Sequence, residues 1–256
     1  SGLITTNLND IDEQISADVA NGNIAFKEES NADYKVKLDQ FVNAGYVNLF
    51  WNFGSSLEVN GGVRFENSNR TIKYRSLGAP SFTSPYQKNT EDKLDILPSL
   101  NAKYILNEKS NYRLAASKTI TRPTTMELLP IQYVNPDGTV ELGNYALTKG
   151  IATNNSDLYL RNSDNINLDL KYELFTDNKE MIALGVFGKS IDKPIERIFI
   201  PTASSGGQII TYDNSKSAIL YGAELEFIFQ FNRLSKQLDN LSLGFNTSVM
   251  QTEVKT

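Results

Sequence analysis

The stretch NINLDLKYEL, Asn165–Leu174, decides the fold class. Ile166, Leu168, Leu170, Tyr172 and Leu174 alternate with Asn165, Asn167, Asp169, Lys171 and Glu173. A period of two places all the apolar side chains on one face of a strand and all the polar ones on the other. The pattern returns in ILYGAELEFIFQF, Ile219–Phe231, where Tyr221, Ala223, Leu225, Phe227 and Phe229 oppose Gly222, Glu224, Glu226 and Gln230. LEVNGGVRFEN from Leu57 and LSLGFNTSV from Leu241 repeat it. Less regular runs at Val42–Phe53, Leu97–Leu106, Tyr112–Thr119 and Met181–Lys189 bring the principal strands to eight, or ten if Ile195–Tyr212 contributes two more. Helical periodicity is weak throughout, so the chain reads as all-β.

The connections carry a second signal. Phe53 to Leu57, Leu106 to Tyr112 and Phe175 to Met181 are tight, and Phe231 to Leu241 is fairly short. The connections before Leu97, before Asn165 and between Lys189 and Ile219 are long. Short and long alternate strictly. A soluble sandwich supplies no reason for this, whereas an outer-membrane barrel has short periplasmic turns and long extracellular loops. Strand lengths fit a tilted crossing of roughly 9–11 residues. The expected fold is therefore an antiparallel, up-and-down transmembrane β-barrel wall, with Leu and Phe toward lipid and Glu, Asn and Lys toward an aqueous lumen. Trp51, Phe53, Tyr104, Tyr112, Phe175, Phe231 and Phe245 lie near strand ends, where an interfacial girdle would sit.

Composition narrows the function. Of 256 residues, 40% are hydrophobic and 21% charged, too apolar for a disordered chain. No run of eighteen apolar residues exists to make a membrane helix. The net charge of −5, without a long basic run, argues against nucleic acid as a partner. The chain has neither cysteine nor histidine, which removes disulfides, thiolate metal sites and every Ser-His or Cys-His catalytic arrangement. No enzyme activity, metal or cofactor is expected. Glu224 and Glu226 share a strand face and read as a lumen-facing polar row rather than an acid–base pair. Asp10, Asp12, Glu13 and Asp18 are acidic, but their spacing is not that of an EF-hand, and they read as a solvated loop. ASSGGQ, Ala203–Gln208, lacks a following helix and reads as a hairpin tip rather than a phosphate cradle.

SKTITRPTTMELLPIQY, Ser117–Tyr133, breaks its strand with Arg122-Pro123 and again at Pro130. Counting turns puts this break at the outer rim. Pro123 lacks an N–H and restricts its predecessor, so the ladder ends there. Arg122 and Glu127 are expected to pair and set the direction in which the loop leaves.

Several longer pieces resemble TonB-dependent receptors of the bacterial outer membrane. They are AGYVNLFWNF from Ala44, LEVNGGVRFENS from Leu57, Asp95–Pro130, Ile166–Glu196 and YDNSKSAILYGAELEF from Tyr212. Within them, the more specific features are Leu97-Pro98-Ser99-Leu100, Arg122-Pro123 with Glu127, Pro194-Ile195-Glu196, and Gly222 with Glu224. The order and spacing hold from about Ala44 to Val249. One departure is that Gly143-Asn144 is separated from Asn167-Leu168-Asp169-Leu170 by a long polar insertion. The resemblance implies a 22-stranded barrel with a plugged lumen. Only about a third of those strands are present and no segment reads as a plug, so residues 1–256 are expected to form one partial barrel domain. No signal peptide is visible, and the opening Ser1-Gly2 and the unclosed end SVMQTEVKT read as cuts within something larger.

The resemblance also implies partners and a task. The partners are the plug domain of the same receptor, the TonB energy-coupling complex, the lipid bilayer and, in some receptors, a surface lipoprotein. The task is import of a scarce nutrient, whether siderophore-iron, cobalamin, a glycan or a peptide. Loop aromatics Tyr74, Tyr86, Tyr133, Tyr145 and Tyr159 are candidate ligand contacts, each equally suited to packing within its own loop. Two other classes remain open on the residues alone: a small self-contained outer-membrane pore or adhesin, and a soluble β-domain that binds carbohydrate.

Overall fold

A computed structural model describes residues 8–23, 36–75, 85–129, 132–136, 139–143, 160–201 and 208–255. Eight long strands form one sheet: β1 (Val36–Phe53), β2 (Leu57–Tyr74), β3 (Gln87–Asn107), β4 (Ser110–Thr121), β7 (Ser163–Phe175), β8 (Met181–Asp192), β11 (Ser217–Gln230) and β12 (Ser242–Lys255). Each pairs antiparallel with its chain neighbour, in the order β1-β2-β3-β4-β7-β8-β11-β12. The sheet does not close on itself, because β1 and β12 are its two edges.

The alternation expected from the sequence sets the two faces. Leu170 sits opposite Leu114 on one side and Val186 on the other, and Val186 opposite Ala223. Leu114, Leu170 and Val186 are exposed in the bare sheet, as are Leu49, Trp51, Leu100, Leu184 and Val249 on the same face. An apolar face of that extent has no stable place in water and fits lipid. One register row runs through Phe53, Leu57, Tyr104, Tyr112, Tyr172, Leu184 and Leu225 across successive strands. The Tyr112 and Tyr172 rings in it lie 5.0 Å apart. The row sits near the short-turn end and holds Phe53, Tyr104 and Tyr112 of the expected girdle, whereas Phe175 falls on the opposite face with Glu173 and Phe231 lies in the turn after β11.

The short turns are cross-tied. The chain reverses between β1 and β2 at Gly54, whose φ of 63° is a left-handed conformation that glycine adopts without penalty. Lys109, between β3 and β4, pairs with Asp177, between β7 and β8, at 2.5 Å. Asn178 donates to Asn232 at 2.6 Å, and Arg233 reaches the buried Glu180 at 3.5 Å.

At the other end the strands are longer than the sequence suggests. β2 runs to Tyr74 and β3 begins at Gln87, so the first long connection is mostly strand. The outward positions there are Asn67, Asn69, Thr71 and Lys73 on β2, and Lys88, Thr90 and Asp92 on β3. The ladder continues beyond the bilayer, where no lipid demands apolar side chains, so the alternation signal stops before the strand does.

Three elements were absent from the sequence expectation. Leu8–Ala20 is a helix, α1, rather than a solvated loop. Leu8, Ile11, Ile15 and Val19 recur there at helical spacing with no Gly or Pro to interrupt. Thr125–Leu128 forms a single helical turn, α2. A second sheet, β5-β6-β10-β9, combines β5 (Gln132–Val134) and β6 (Val140–Leu142) with β9 (Ile195–Pro201) and β10 (Gln208–Asn214). The Ile195–Tyr212 region does supply two strands, as expected, but in this loop sheet rather than in the barrel wall.

Candidate functional site

The inner face of the sheet is charged and internally compensated. Arg113 donates to Glu173 at 2.7 Å, and Lys171 reaches from β7 over β8 to Glu226 on β11 at 3.0 Å. Lys103 lies 3.6 Å from Glu58. Glu226 is thus a member of a lumen-facing row, as the alternation implied. Its neighbour Glu224 shares the face and sits opposite Gly185 and Ser248.

Arg122 does not pair with Glu127. The β3–β4 pairing ends at Ser99 and Ser117, next to Pro98, and above that point the two strands separate. Arg122, just beyond β4, crosses this gap and donates to Glu66 on β2 at 2.6 Å and to Asp95 on β3 at 3.2 Å. Arg64 adds a second donor to Glu66 at 2.7 Å, and Lys93 lies 3.4 Å from Asp95. Both carboxylates are buried, so the attraction is not spent on water. Glu127 instead closes a capping box. It accepts from the Thr124 N–H at 2.7 Å while its own N–H donates to Thr124 Oγ1 at 3.4 Å. Pro123 ends the ladder as expected, since β4 stops at Thr121.

Above this clasp the loops fold inward over the sheet. Ile72 and Tyr74 of β2, Leu128 of α2 and Leu160 form a small buried core, with Val36, Leu38, Ile195 and Tyr212 packed against it. Tyr74 is 3% exposed, which makes it a packing residue rather than an accessible contact. Tyr86 remains exposed, with the Arg75 guanidinium 4.2 Å over its ring. Tyr133 lies in β5, with its side chain outside the described residues, and Tyr145 and Tyr159 lie outside them altogether.

The loop sheet is docked by specific polar contacts. Thr211 Oγ1, fully buried, donates to the Gly143 carbonyl at 2.7 Å. A Cβ on Gly143 would run into the Leu129 carbonyl, so only glycine allows β6 to end so close to α2. Tyr212 donates its phenol to Glu141 at 2.5 Å, and this bond together with partial burial pushes the phenol up to about 12. Asn214 then staples three segments: it accepts from the Arg161 N–H at 2.7 Å and donates to the carbonyls of Arg161 and Lys193 at 3.1 and 2.8 Å. Pro194 is buried within this knot and its carbonyl accepts from Ser215 at 2.9 Å. Glu196 sits on β9 opposite Asp213. Gly222 has a separate task lower in the wall. A Cβ there would lie 2.6 Å from Phe187 Cζ and against the Val249 carbonyl, so its absence lets the Phe187 ring lie across the inner face.

Between the inner wall and the inward loops is a cavity of about 470 Å³. Arg70, Ile72 and Glu91 line it from the wall, and Leu128, Leu160 and Asn162 from the loops. Arg70 and Glu91 form a close ion pair. Asn162 is 5% exposed and its Oδ1 has no partner. None of these six was singled out in the sequence, because the cavity joins strands to loops across register that spacing does not reveal. Among the described residues no cluster suited to a metal ion occurs.

An open antiparallel wall with a lipid-facing apolar side, a charged inner side, short turns at one end and long loops at the other defines an outer-membrane β-barrel protein. The family model described as outer membrane protein beta-barrel family matches residues 4–256, and the chain belongs to that family. Among solved structures, it is similar to the siderophore receptor PirA from Pseudomonas aeruginosa, with a TM-score of 0.53 and 18% identity over 86% of this chain and 44% of that one. It is similar to the ferric yersiniabactin uptake receptor FyuA from Yersinia pestis, with a TM-score of 0.54 and 16% identity over 86% of this chain and 28% of that one. The copper transporter OprC gives a TM-score of 0.58 and 12% identity over 84% of this chain and 29% of that one. At such identities the likeness is one of fold, and the chain spans less than half the length of each receptor. No curated relative matches the sequence.

Proposed function

We propose that the chain is part of the barrel wall of a TonB-dependent importer. A scarce nutrient is captured at the outer rim and released inward when the TonB energy-coupling complex pulls on a plug domain elsewhere in the same protein. The observation that carries this reading is the inward folding of α2 and the loop sheet over the inner wall, which makes a cavity of about 470 Å³ at the outer end. The solved proteins of the same fold are described as a siderophore receptor, an uptake receptor and a transporter, which agrees. The candidate nutrients are siderophore-iron, cobalamin, glycans and peptides, delivered in some systems by a surface lipoprotein.

The two competing classes fare worse. A self-contained eight-stranded pore needs β1 to pair with β12, and they stand at opposite edges of the sheet. A soluble carbohydrate-binding domain would have to leave the whole Leu114–Leu170–Val186 face in water. The test is uptake by cells producing the full-length protein, offered ferric siderophores, cobalamin, oligosaccharides and peptides. Accumulation of one class should stop on adding a protonophore or deleting TonB. Uptake indifferent to both would exclude energised import.

A further inference from the structure

From the rim cavity we infer the chemistry of its occupant: an uncharged, hydroxyl-rich ligand of one or two sugar rings. The inference rests on the importer reading for its biological purpose, though not for its geometry. The first observation is Asn162. Its amide is nine-tenths buried beside the cavity, and its carbonyl oxygen accepts from nothing. A buried acceptor without a donor is costly, and a ligand hydroxyl that fills it gains the full difference.

The second observation is charge. Three cations along the lining already have anions: Arg70 has Glu91, Lys93 has Asp95 at 3.4 Å, and Lys193 has Asp192 at 3.6 Å; Arg161 also lines the cavity, and Asp164 there lies 3.3 Å from Lys118. Glu91, Asp92 and Asp164 set against Arg70, Lys93, Arg161 and Lys193 leave the lining near charge balance, so neither an anionic chelate nor a cation is strongly favoured. The third is shape. Ile72, Leu128 and Leu160, packed together, give the cavity an apolar patch beside its polar groups. A sugar ring has the same division, with C–H groups on its face and hydroxyls at its edge. The volume lies in the usual range for small-molecule sites, roughly 300–1,000 Å³.

The experiment measures equilibrium binding to intact cells that carry the full-length protein, using radiolabelled maltose, cellobiose, xylobiose and mannobiose as probes. Ferric citrate and Ala-Ala dipeptide serve as charged competitors. At least one disaccharide should bind, and neither charged compound should displace it. Asn162→Leu removes the acceptor and should weaken binding about three- to tenfold. Asn162→Asp keeps an acceptor oxygen and should bind more tightly than Asn162→Leu, which separates loss of the hydrogen bond from misfolding. Absence of binding for all four sugars overturns the inference, as does equal affinity of the Leu and Asp variants or displacement by either charged compound. Sugar binding that depends on Asn162, without protonophore-sensitive uptake, would support the cavity and sink the importer. Energised uptake of another nutrient, without sugar binding, would do the reverse.

Discussion

Arg122 and Glu66 are 56 residues apart in the chain and meet at 2.6 Å on the inner wall. The contact joins the exit of β4 to β2 across the outer part of β3, where β4 and β3 no longer pair. With Asp95 and Arg64 it makes a four-residue clasp, and it fixes the direction in which Pro123 and α2 leave the wall.

Replacing Arg122 by alanine should therefore cost about 2 kcal/mol, since it leaves two buried carboxylates short of a donor. Glu127→Ala loses only a helix cap and should cost about 1 kcal/mol. Urea unfolding of the full-length protein in detergent reads both values. A larger loss for Glu127 than for Arg122 would reinstate the local Arg122–Glu127 pair.

Much of the wall was legible because lipid enforces it. The alternation through Leu168, Leu170 and Tyr172 records which side meets the bilayer, and the short and long connections record which end is which. Where that constraint lapses, so does the signal: β2 continues to Tyr74 with Asn69, Thr71 and Lys73 outward, and nothing periodic marks it. The partner of Arg122 was unreadable for a different reason. Three carboxylates were in reach by sequence or by strand, and choosing among them needs the register between β2, β3 and β4. The capping box, by contrast, was present as Thr124-x-x-Glu127 and identifies the true role of Glu127 from sequence alone. The cavity depends on loops meeting strands, and no local pattern encodes such meetings.

Gly222→Ala should destabilise the wall by about 1–3 kcal/mol, because the added methyl meets the Phe187 ring and the Val249 carbonyl together. A double-mutant cycle with Phe187→Ala should recover part of the loss and no more, since the carbonyl remains. Full recovery would mean that the backbone contact is unimportant, and no recovery would mean that the ring is.

The Tyr212 phenol is held up at about 12 by its bond to Glu141, against about 10 in an unfolded chain. The folded protein keeps this proton to higher pH, so the bond's stabilisation is complete below pH 10 and lost as pH rises toward 12. The loop sheet should therefore resist protease equally at pH 7 and pH 9. The difference in phenolate absorbance between the full-length protein and its Tyr212→Phe variant should titrate near 12. A difference spectrum that titrates at 10 would show that the Tyr212–Glu141 bond is absent in solution.

Leu170 and Asp169 are adjacent in sequence and on opposite faces, which makes them the sharpest test of the membrane reading. Leu170 sits between Leu114 and Val186, and Asp169 between Ala115 and Phe187 on the inner side. A lysine at a lipid-facing midplane position costs about 2–4 kcal/mol, whereas a lumen position tolerates it. Folding of the full-length protein into liposomes should thus suffer by that amount for Leu170→Lys and by little for Asp169→Lys. The lumen variant still adds a charge beside Lys171, so a small loss that shrinks with salt is expected there. Equal, salt-insensitive losses at the two positions would mean that the faces are assigned wrongly, and with them the inner-wall placement of Arg122, Glu66 and the cavity above them.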